Sequence, residues 1–358
     1  MGDYFVSRRE RGELGLPTLS VTVDRGLVLR ESLERRTETT LAPEQHLRVY
    51  PGDIPYNMMR MWQGASGLAD RDAVVSPAYV VLTPGKNVDP RFAAYLFKLP
   101  EMIHRFWAYS YGLTEDRLRL YFNDFKRIPR ALPPLPEQKK IAEILSTWDA
   151  AIATAEKLAT NAKAQKRALM QQLLTGKRRL TGFEGQKWAP ARLGDALDIA
   201  YGKSPNGIIS ENGSYPIVGT GGVTGRTNER ITKNPVIVVG RKGTIDKPFM
   251  VETPCWPIDT TFYCQAKKGS VLRWAYYMLQ TIGLRKYNEA SGVPSLSRDT
   301  LRAIHVWCPS EQEQLAIADV LLVAEDAVGR LEAKVALLKS EKLGLMQQLL
   351  TGRRRVMV

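Results

Sequence analysis

Two stretches of the chain place apolar residues at alternating steps of four and three positions. In the first stretch these residues are Ile141, Leu145, Trp148, Ile152, Ala155, Ala159, Ala162, Leu169 and Leu173. In the second they are Ile317, Leu321, Ala324, Val328, Leu331, Val335, Leu338, Leu345 and Leu349. Each series is interrupted once, at Lys166 and at Lys342, and neither stretch contains proline. A heptad repeat of this kind predicts two long helices that pair along their apolar faces.

The two stretches are also copies of each other. Residues 137–180 align with residues 313–356 without a gap, and nearly half of the aligned positions are identical. The letters MQQLLTG occur at both Met170–Gly176 and Met346–Gly352. An internal repeat of this length indicates a tandem duplication. Where the first copy has alanines on the apolar face, the second has large residues, which favours pairing over two separate amphipathic helices that each cover a globular core.

Each predicted helix ends at a Thr-Gly pair followed by a basic cluster. Gly176 precedes Lys177, Arg178 and Arg179, and Gly352 precedes Arg353, Arg354 and Arg355. Glycine is the common residue just beyond a helix C-terminus, where cations also interact favourably with the helix dipole. A helix of roughly 39 residues is about 58 Å long, so we expect the repeated helices to act as spacers.

The remaining segments share one order of predicted elements. In the first segment, a turn and strand at Gly52–Asn57 and a strand region at Val74–Leu82 precede a helix at Pro90–Leu99 and a polar segment from Tyr109. In the second, strands at Val236–Val239 and Ile258–Tyr263 precede a helix at Leu272–Gln280 and a polar segment at Ser291–Arg298. The sequence therefore predicts globular units at 1–136 and 181–310, and long helices within 137–180 and 311–358. Met1-Gly2-Asp3 resembles Leu193-Gly194-Asp195, so we expect the first unit to lack the dozen or so residues that precede this point in the second.

Composition and charge narrow the possible partners. The formal net charge is +14, and the excess is spread over both halves of the chain. A diffuse basic surface favours a polyanion, most simply nucleic acid, although a merely soluble basic protein is the alternative. The three cysteines (Cys255, Cys264 and Cys308) lack the spacing of a metal site, and no apolar run reaches membrane-spanning length. No signal peptide opens the chain, so we expect a cytoplasmic protein with reduced thiols, no metal and no membrane partner.

Candidate DNA contacts in the second unit follow its glycine-rich loop and its strand ends. The glycine-rich loop at Gly219–Arg226 does not match a nucleotide-binding pattern, so it is either a flexible hairpin or a backbone loop that approaches DNA. Arginine can contact guanine or phosphate, lysine acts as a point charge, and small polar groups can bond to phosphates. The candidates are Thr220, Arg226, Thr227, Asn228, Arg241, Lys242, Ser295, Ser297 and Arg298. Each can equally be a solvated turn residue.

In the first unit we expect other residues to occupy the corresponding places. They are Arg60, Gln63, Ser66, Tyr109, Tyr111 and Arg117. The sequence contains no phosphate-binding loop, no zinc-protease pattern, no nucleophile elbow and no amino-methyltransferase pattern. The residue types of a catalytic site are therefore not found together.

Taken together, these patterns resemble the specificity subunits of type I restriction–modification systems. The resemblance is carried by the helix entries PPLPEQKKIAEIL and EQEQLAIADVL, the exits MQQLLTGKRRL and MQQLLTGRRRV, Gly52-Asp53-Ile54, Val75–Tyr79, Gly240–Thr244 and Ser291–Leu296. The family implies an α+β fold with two α/β target recognition domains separated by the two repeated helices, which pair as an antiparallel coiled coil with pseudo-twofold symmetry. Each domain would read one half of a bipartite asymmetric site in double-stranded DNA.

The resemblance also implies partners. Two methylation subunits would dock on the helices, bind S-adenosylmethionine and methylate adenine, and restriction subunits would join for cleavage. This chain itself would be non-catalytic and would bind no cofactor. Two other classes remain open on the residues alone: a stand-alone methyltransferase or nuclease, and an adaptor that binds only protein.

Overall fold

The computed structural model describes residues 1–33, 41–114 and 117–357, which divide into two compact units. The first unit comprises Met1–Ala155 and Lys334–Val358, and the second comprises Glu156–Ala333. Two long helices, α4 (Leu135–Leu173) and α8 (Glu311–Leu350), each contribute one part to each unit. The predicted long helices are therefore present, and each unit contains a globular part with a section of both helices.

The first unit is built on small antiparallel sheets. Its strands are β1 (Phe5–Arg8), β2 (Leu19–Val21), β3 (Leu27–Leu29), β4 (Leu47–Val49), β5 (Ile54–Asn57), β6 (Ala73–Val75) and β7 (Tyr79–Pro84). Its helices besides the long pair are α1 (Pro90–Leu96), α2 (Pro100–Ala108) and α3 (Phe122–Arg127), with short 3₁₀ turns at Arg30–Ser32, Pro43–Gln45 and Met61–Gln63. Strand β7 lies between β1 and β5, β4 pairs with β6, and β2 pairs with β3.

The second unit has a similar arrangement of elements, and its main sheet has four strands where that of the first unit has three. Its strands are β8 (Ala189–Arg192), β9 (Leu197–Tyr201), β10 (Tyr215–Gly219), β11 (Gly222–Thr227), β12 (Val236–Gly240), β13 (Phe249–Val251), β14 (Trp256–Pro257), β15 (Thr261–Ala266) and β16 (His305–Cys308). Its helices are α5 (Leu193–Ala196), α6 (Leu272–Ile282) and α7 (Arg298–Ala303), with a 3₁₀ turn at Leu284–Tyr287. The sheets have the orders β13-β12-β15-β9, β11-β10-β14 and β16-β8.

Strand β12 illustrates why the continuous apolar run at Val236–Val239 forms a central strand. Successive side chains of a strand point to opposite faces. Ile237 and Val239 join the main core of the unit, while Val236 and Val238 join a smaller core with Cys255. Because both faces are covered, every residue of the strand is buried. The turn that follows β12 is therefore held on a rigid element.

Two of the sequence-predicted strands differ from the observed ones. The region Val74–Leu82 is two strands, because Ser76-Pro77-Ala78 forms a turn in which the Tyr79 amide donates to the Ser76 carbonyl at 3.0 Å. The predicted strand at Ile258–Tyr263 begins only at Thr261, since the preceding residues turn back on themselves. Helix α2 was not predicted, although it begins at a proline in the favoured first helical position.

Both long helices end shortly before the predicted glycines. Gly176 and Gly352 have φ angles of +70° and +74°, the left-handed conformation that glycine adopts without a Cβ penalty. The amides of Arg178 and Arg354 then donate back to the carbonyls of Gln172 and Gln348, at 3.1 Å in both cases. These bonds satisfy carbonyls that would otherwise have no partner at the helix end.

Within each unit the sections of α4 and α8 run antiparallel. In the first unit Lys342 bonds to Asp149 at 2.5 Å, and in the second Lys166 bonds to Glu325 at 2.6 Å. These lysines are the two interruptions of the heptad pattern, and each lies over a tyrosine ring. The tyrosine of the second unit, Tyr277, also donates its hydroxyl to Glu325 at 2.7 Å, and burial together with this bond raises its pKa. The interruptions are therefore polar contacts inside the seam.

The apolar positions of the helices face inward to different degrees. The fully or nearly buried ones are Ile141, Leu145, Ile152, Ala155, Ala159, Leu173, Ile317, Leu321 and Leu349. The half-buried ones are Trp148, Ala162, Leu169, Ala324, Val328, Leu331, Val335, Leu338 and Leu345. Residues near the helix ends join the cores of the globular parts, for example Ile141 and Leu145 in the first unit and Ile317 and Leu321 in the second. Helix pairing and docking on a globular core thus occur on the same helices.

Each unit fixes its globular part to the helices with one buried glutamine. Gln314 accepts a bond from the Val271 amide at 2.8 Å and donates to the carbonyls of Gly269 and Pro309. Gln138, its repeat counterpart, makes the same three kinds of bond in the first unit. The two copies therefore share these docking contacts as well as much of the amino-acid sequence of the long helices.

The start of the chain also follows the repeat. The Met1 amino group donates to the Ile128 carbonyl at 2.6 Å, as the Leu193 amide donates to the Ile304 carbonyl at 2.8 Å. Met1 therefore occupies in the first unit the place that Leu193 occupies in the second, as the sequence comparison indicated.

Candidate nucleic-acid interface

In the second unit, three segments that are distant in sequence meet at the end of strand β12. The Arg241 carbonyl accepts a bond from the Leu296 amide at 2.9 Å, and the Gly243 amide donates to the Pro294 carbonyl at 2.8 Å. The Arg241 amide donates to the Thr260 carbonyl at 2.9 Å. The turn after β12, the turn before β15 and the polar segment before α7 therefore form one loop cluster.

The centre of this cluster is Tyr201, the last residue of β9. The guanidinium groups of Arg241 and Arg298 lie over its ring, at 5.2 Å and 4.9 Å from the ring centroid. Arg241 also donates to the Asp259 carbonyl at 3.3 Å. Tyr201 is 43% exposed, so the cluster is accessible. Sequence reasoning missed Tyr201, since a lone tyrosine at a strand end carries no pattern.

The cluster is cationic and uncompensated. Within the parts of the chain that the structure describes, neither Arg241, Arg298 nor the exposed Lys242 makes an ion pair with a carboxylate. The Nε of Arg298 is buried and has no hydrogen-bond partner among the same residues. Guanidinium groups held by an aromatic ring retain donors for a phosphate or a guanine edge. The arrangement can bind an anion and can present fixed donors to a base.

Three further candidates border this cluster. Thr220 is at the tip of the β10–β11 hairpin, and its Oγ1 lies 3.9 Å from the position that a Cβ on Gly243 would take. Ser295 lies across from Lys242 in a β-bridge. Ser297 is the N-cap of α7 and accepts a bond from the Thr300 amide at 3.0 Å, so its hydroxyl already has a structural role. The structure therefore brings six of the nine candidates of this unit together.

The other three candidates lie at the opposite end of the hairpin. Thr227 pairs with Tyr215, and Arg226 with Pro216, at the base of β10–β11. Thr227 is completely buried and accepts a bond from the Glu229 amide, so its assignment as a DNA contact is wrong for this conformation. Arg226 is exposed but donates to the carbonyls of Gly213 and Ser214, and Asn228 accepts from the Ser214 amide. The antiparallel pairing separates these residues from the tip by about five residues, roughly 15 Å.

In the first unit the candidates divide between exposed and buried positions. Arg60 and Gln63 are exposed, Arg60 just before the 3₁₀ turn and Gln63 as its last residue. Tyr111 and Arg117 are exposed beside the Tyr111–Arg119 bridge. Tyr109 is half-buried against the core.

Ser66 requires a correction. It is 1% exposed because it forms a bridge with Tyr56 on strand β5. Its hydroxyl has no hydrogen-bond partner in the described part of the chain. A side chain buried against a strand cannot reach DNA without a rearrangement.

The correspondence between units also differs from the expected one. The Met58 carbonyl accepts from the Leu120 amide at 2.9 Å, which is the same bond that Arg241 makes with Leu296. Phe122 begins α3 as Arg298 begins α7. Met58 and Phe122, and not Arg60 or Arg117, therefore occupy the places of the two arginines. At these two places the same backbone arrangement carries apolar groups in the first unit and cations in the second.

The first unit has its own pair of arginines around a tyrosine, but these are neutralised. Arg8 and Arg48 lie 4.6 Å and 4.7 Å from the centroid of the Tyr50 ring. Arg8 pairs with Asp53 at 2.9 Å, and Arg48 pairs with Glu13 at 2.5 Å. Because each cation has a carboxylate partner, this cluster attracts an anion less than the cluster of the second unit.

The cysteines of the described residues lie apart from the loop cluster of the second unit, and the possible metal ligands of the same residues are not grouped. Among the described residues, no group of three or more His, Cys, Asp or Glu side chains is placed to hold a metal ion. Cys264 is buried in the second unit, and burial raises its pKa to about 12, so it is not a nucleophile at neutral pH. None of the helices in the described ranges is apolar over a length that would cross a bilayer.

Comparison with known proteins gives a consistent result. The model of the type I restriction modification DNA specificity domain matches residues 55–164 and 185–334, which is more than half of the chain. The EcoprrI specificity subunit of a type I restriction enzyme from Escherichia coli is 27% identical over 244 residues, covering 63% of this chain and 58% of that protein. The MjaVIII specificity subunit from Methanocaldococcus jannaschii is 26% identical over 159 residues, covering 41% of this chain and 36% of that protein. This chain therefore matches less than two thirds of the length of these relatives.

Solved structures show the same fold. The S subunit of a type I restriction-modification system from M. genitalium has a TM-score of 0.65 at 18% identity, with 97% of this chain and 94% of that chain covered. A chain from a structure of a type I R-M system, described in terms of its complex assembly and conformational transition, has a TM-score of 0.60 at 16% identity and covers 98% and 96% of the two chains. At these identities the likeness concerns the fold.

Proposed function

The chain belongs to the type I restriction–modification DNA specificity family, and from that premise we propose that it recognises a bipartite, asymmetric site in double-stranded DNA. Each unit reads one half of the site. Phosphate contacts set the register on the duplex and contacts to base edges supply the sequence information. The chain performs no chemistry on the DNA.

The observation that carries this proposal is the contrast between two equivalent loop clusters. In the second unit, the partly exposed Arg241 and Arg298 lie over the exposed Tyr201 ring and make no ion pair with a carboxylate of the described residues. In the first, Met58 and Phe122 take the places of the arginines. The docking glutamines and helix ends are the same in both units. The two units share a backbone arrangement but present different side chains on it, which suits the recognition of two different DNA sequences.

We further propose that the chain acts as a scaffold. Two methylation subunits dock on the long helices, bind S-adenosylmethionine and methylate adenine, and restriction subunits join the same complex. The repeated helix surfaces favour two equivalent docking positions. Cofactor binding is assigned to the partner because this chain offers no pattern for it. Purified chain alone should therefore transfer no methyl group to DNA, and adding the methylation subunit should restore transfer.

Replacement of one unit tests the reading of half-sites. Residues 194–308 are exchanged for the matching segment of another family member, and methylated adenines are mapped in DNA from cells that produce the complex. We expect one half-site to change while the other stays the same. A change in both half-sites would contradict independent reading.

A gel-shift titration of the DNA at several salt concentrations tests the phosphate contacts. Counterion release makes binding through phosphates strongly salt-dependent, so an affinity that does not change with salt would contradict these contacts.

A further inference from the structure

The first unit has its own counterpart of Tyr201, the residue at the centre of the cationic cluster. Strand β1 begins four residues after Met1, as β9 begins four residues after Leu193. Because Met1 and Leu193 take equivalent places, Arg9, just after β1, corresponds to Tyr201. Where the second unit has a tyrosine between two arginines, the first unit therefore has an arginine beside Met58 and Phe122.

These three residues of the first unit line one cavity. Its volume is about 660 Å³, and its lining includes Arg9, Met58, Tyr79, Tyr121, Phe122 and Asp124. The cavity is accessible, since Tyr121 is 46% exposed and Arg9 is exposed as well. The first unit thus has an accessible cavity with an apolar wall at the place where the second unit presents guanidinium groups.

The two apolar side chains of this wall are carried on fixed backbone. Met58 lies in a turn that is closed by the Arg60 amide, which donates to the Asn57 carbonyl at 3.0 Å. The Phe122 ring stacks on Phe125 of the core, with 6.3 Å between the ring centroids. Groups that are held in place before binding lose less conformational freedom when they meet a ligand. Met58 and Phe122 are therefore suited to selecting a ligand by its shape.

The charged groups at the cavity indicate which kind of base edge fits it. Arg9 makes no ion pair with a carboxylate of the described residues, so its guanidinium is available to a phosphate. The Asp124 carboxylate lines the cavity and can only accept hydrogen bonds. The major-groove edge of guanine carries acceptors at O6 and N7, which a carboxylate repels. The cavity therefore disfavours the base that the arginines of the second unit suit.

We propose that the first unit uses this cavity to recognise a thymine through its C5-methyl group in the major groove. Met58 and Phe122 contact the methyl group, and Arg9 contacts a phosphate of the DNA backbone. Thymine is the base of ordinary DNA that presents a methyl group in this groove. The inference rests on the proposed recognition of DNA, and it specifies a base that the first half-site contains.

The first test removes only the methyl group from the DNA. The half-site of the first unit is the one that stays the same when residues 194–308 are exchanged. Each of its thymines is replaced in turn by 2′-deoxyuridine, which lacks the C5-methyl group. Binding to the chain assembled with its methylation subunits is then followed by fluorescence anisotropy. We expect one replacement to weaken binding about fourfold, the effect of burying one methyl group.

The second test asks whether Met58 and Phe122 make this contact. Met58→Ala and Phe122→Ala should each reduce the ratio of thymine to uracil affinity, and the double variant should bring it close to one. A purely structural role would weaken binding of both DNAs equally and leave the ratio unchanged. Met59→Ala is the matched control, because Met59 is 41% exposed and lies outside the cavity lining. It should leave the ratio at its wild-type value.

Three results would overturn the proposal: a first half-site without thymine in either strand, no uracil replacement that weakens binding by more than about twofold, or an unchanged ratio in the double variant. The measurement on the wild-type chain decides the matter even if a variant does not fold. Sequence-specific binding that is insensitive to uracil would remove this inference and leave the proposed function standing. Loss of sequence-specific binding to every DNA would remove both.

Discussion

The turn after β12 offers the sharpest test of the proposed interface. Arg241 is held by the Tyr201 ring and by one bond to the Asp259 carbonyl. A guanidinium has five N–H donors, so most of them remain available to DNA. We expect Arg241→Met, which keeps the aliphatic stem, to weaken binding of the specific site by about 1–3 kcal/mol, roughly 5- to 150-fold, if the arginine contacts a base edge. The loss should be confined to one position of the second half-site.

Lys242 should behave differently because it is exposed and acts as a point charge. Lys242→Met should weaken binding to all sequences by a similar factor. It should also reduce the slope of log affinity against log salt by about 0.9, the value for one phosphate contact.

The measurement is fluorescence anisotropy against a panel of site variants at two salt concentrations, with the chain assembled with its methylation subunits. Arg48→Met in the first unit is the control, because that arginine is paired with Glu13. It should change affinity less than Arg241→Met. Unchanged affinity and unchanged slope for both Arg241→Met and Lys242→Met would remove this turn from the DNA-contacting surface.

Substitutions at three other residues follow from particular contacts. Tyr201→Leu should weaken DNA binding severalfold while Tyr201→Phe should not, because the two guanidinium groups lie over the aromatic ring, which phenylalanine keeps; equal effects in the binding assay would contradict this role. Gln314→Met should lower the free energy of unfolding by about 2–4 kcal/mol in urea titrations, since it leaves three backbone groups without their partner, and a loss below 1 kcal/mol would refute it. Glu137 has a pKa lowered by its bond from Arg355, so its contribution to stability is present above its ordinary pKa of 4.5 and is lost as pH falls through the lower, folded-state value. Arg355→Met should therefore reduce the loss of stability that occurs as pH falls below 4.5, and an unchanged pH profile would argue against the pair.

Several features of the protein were determined by its sequence alone. The apolar series and the absence of proline predicted both long helices, and the Thr-Gly pairs predicted their ends. These signals are local, because helix periodicity and a glycine stop depend on residues within a few turns of each other. The run Val236–Val239 predicted a strand for a similar reason, and its central place in the sheet came from the structure. The repeat and the family resemblance then supplied the fold class.

The candidate interface required the tertiary structure. Tyr201 meets Arg241 and Arg298 only because β9, the turn after β12 and the segment before α7 are joined by backbone hydrogen bonds between residues far apart in sequence. The same kind of pairing buried Ser66 and Thr227, and it placed Met58 where an arginine was expected. Exposure and correspondence between units depend on which strands pair and in which register. A shift by one residue turns a side chain from one face to the other, and that choice is made by contacts across the fold and not by the residue types along a single strand.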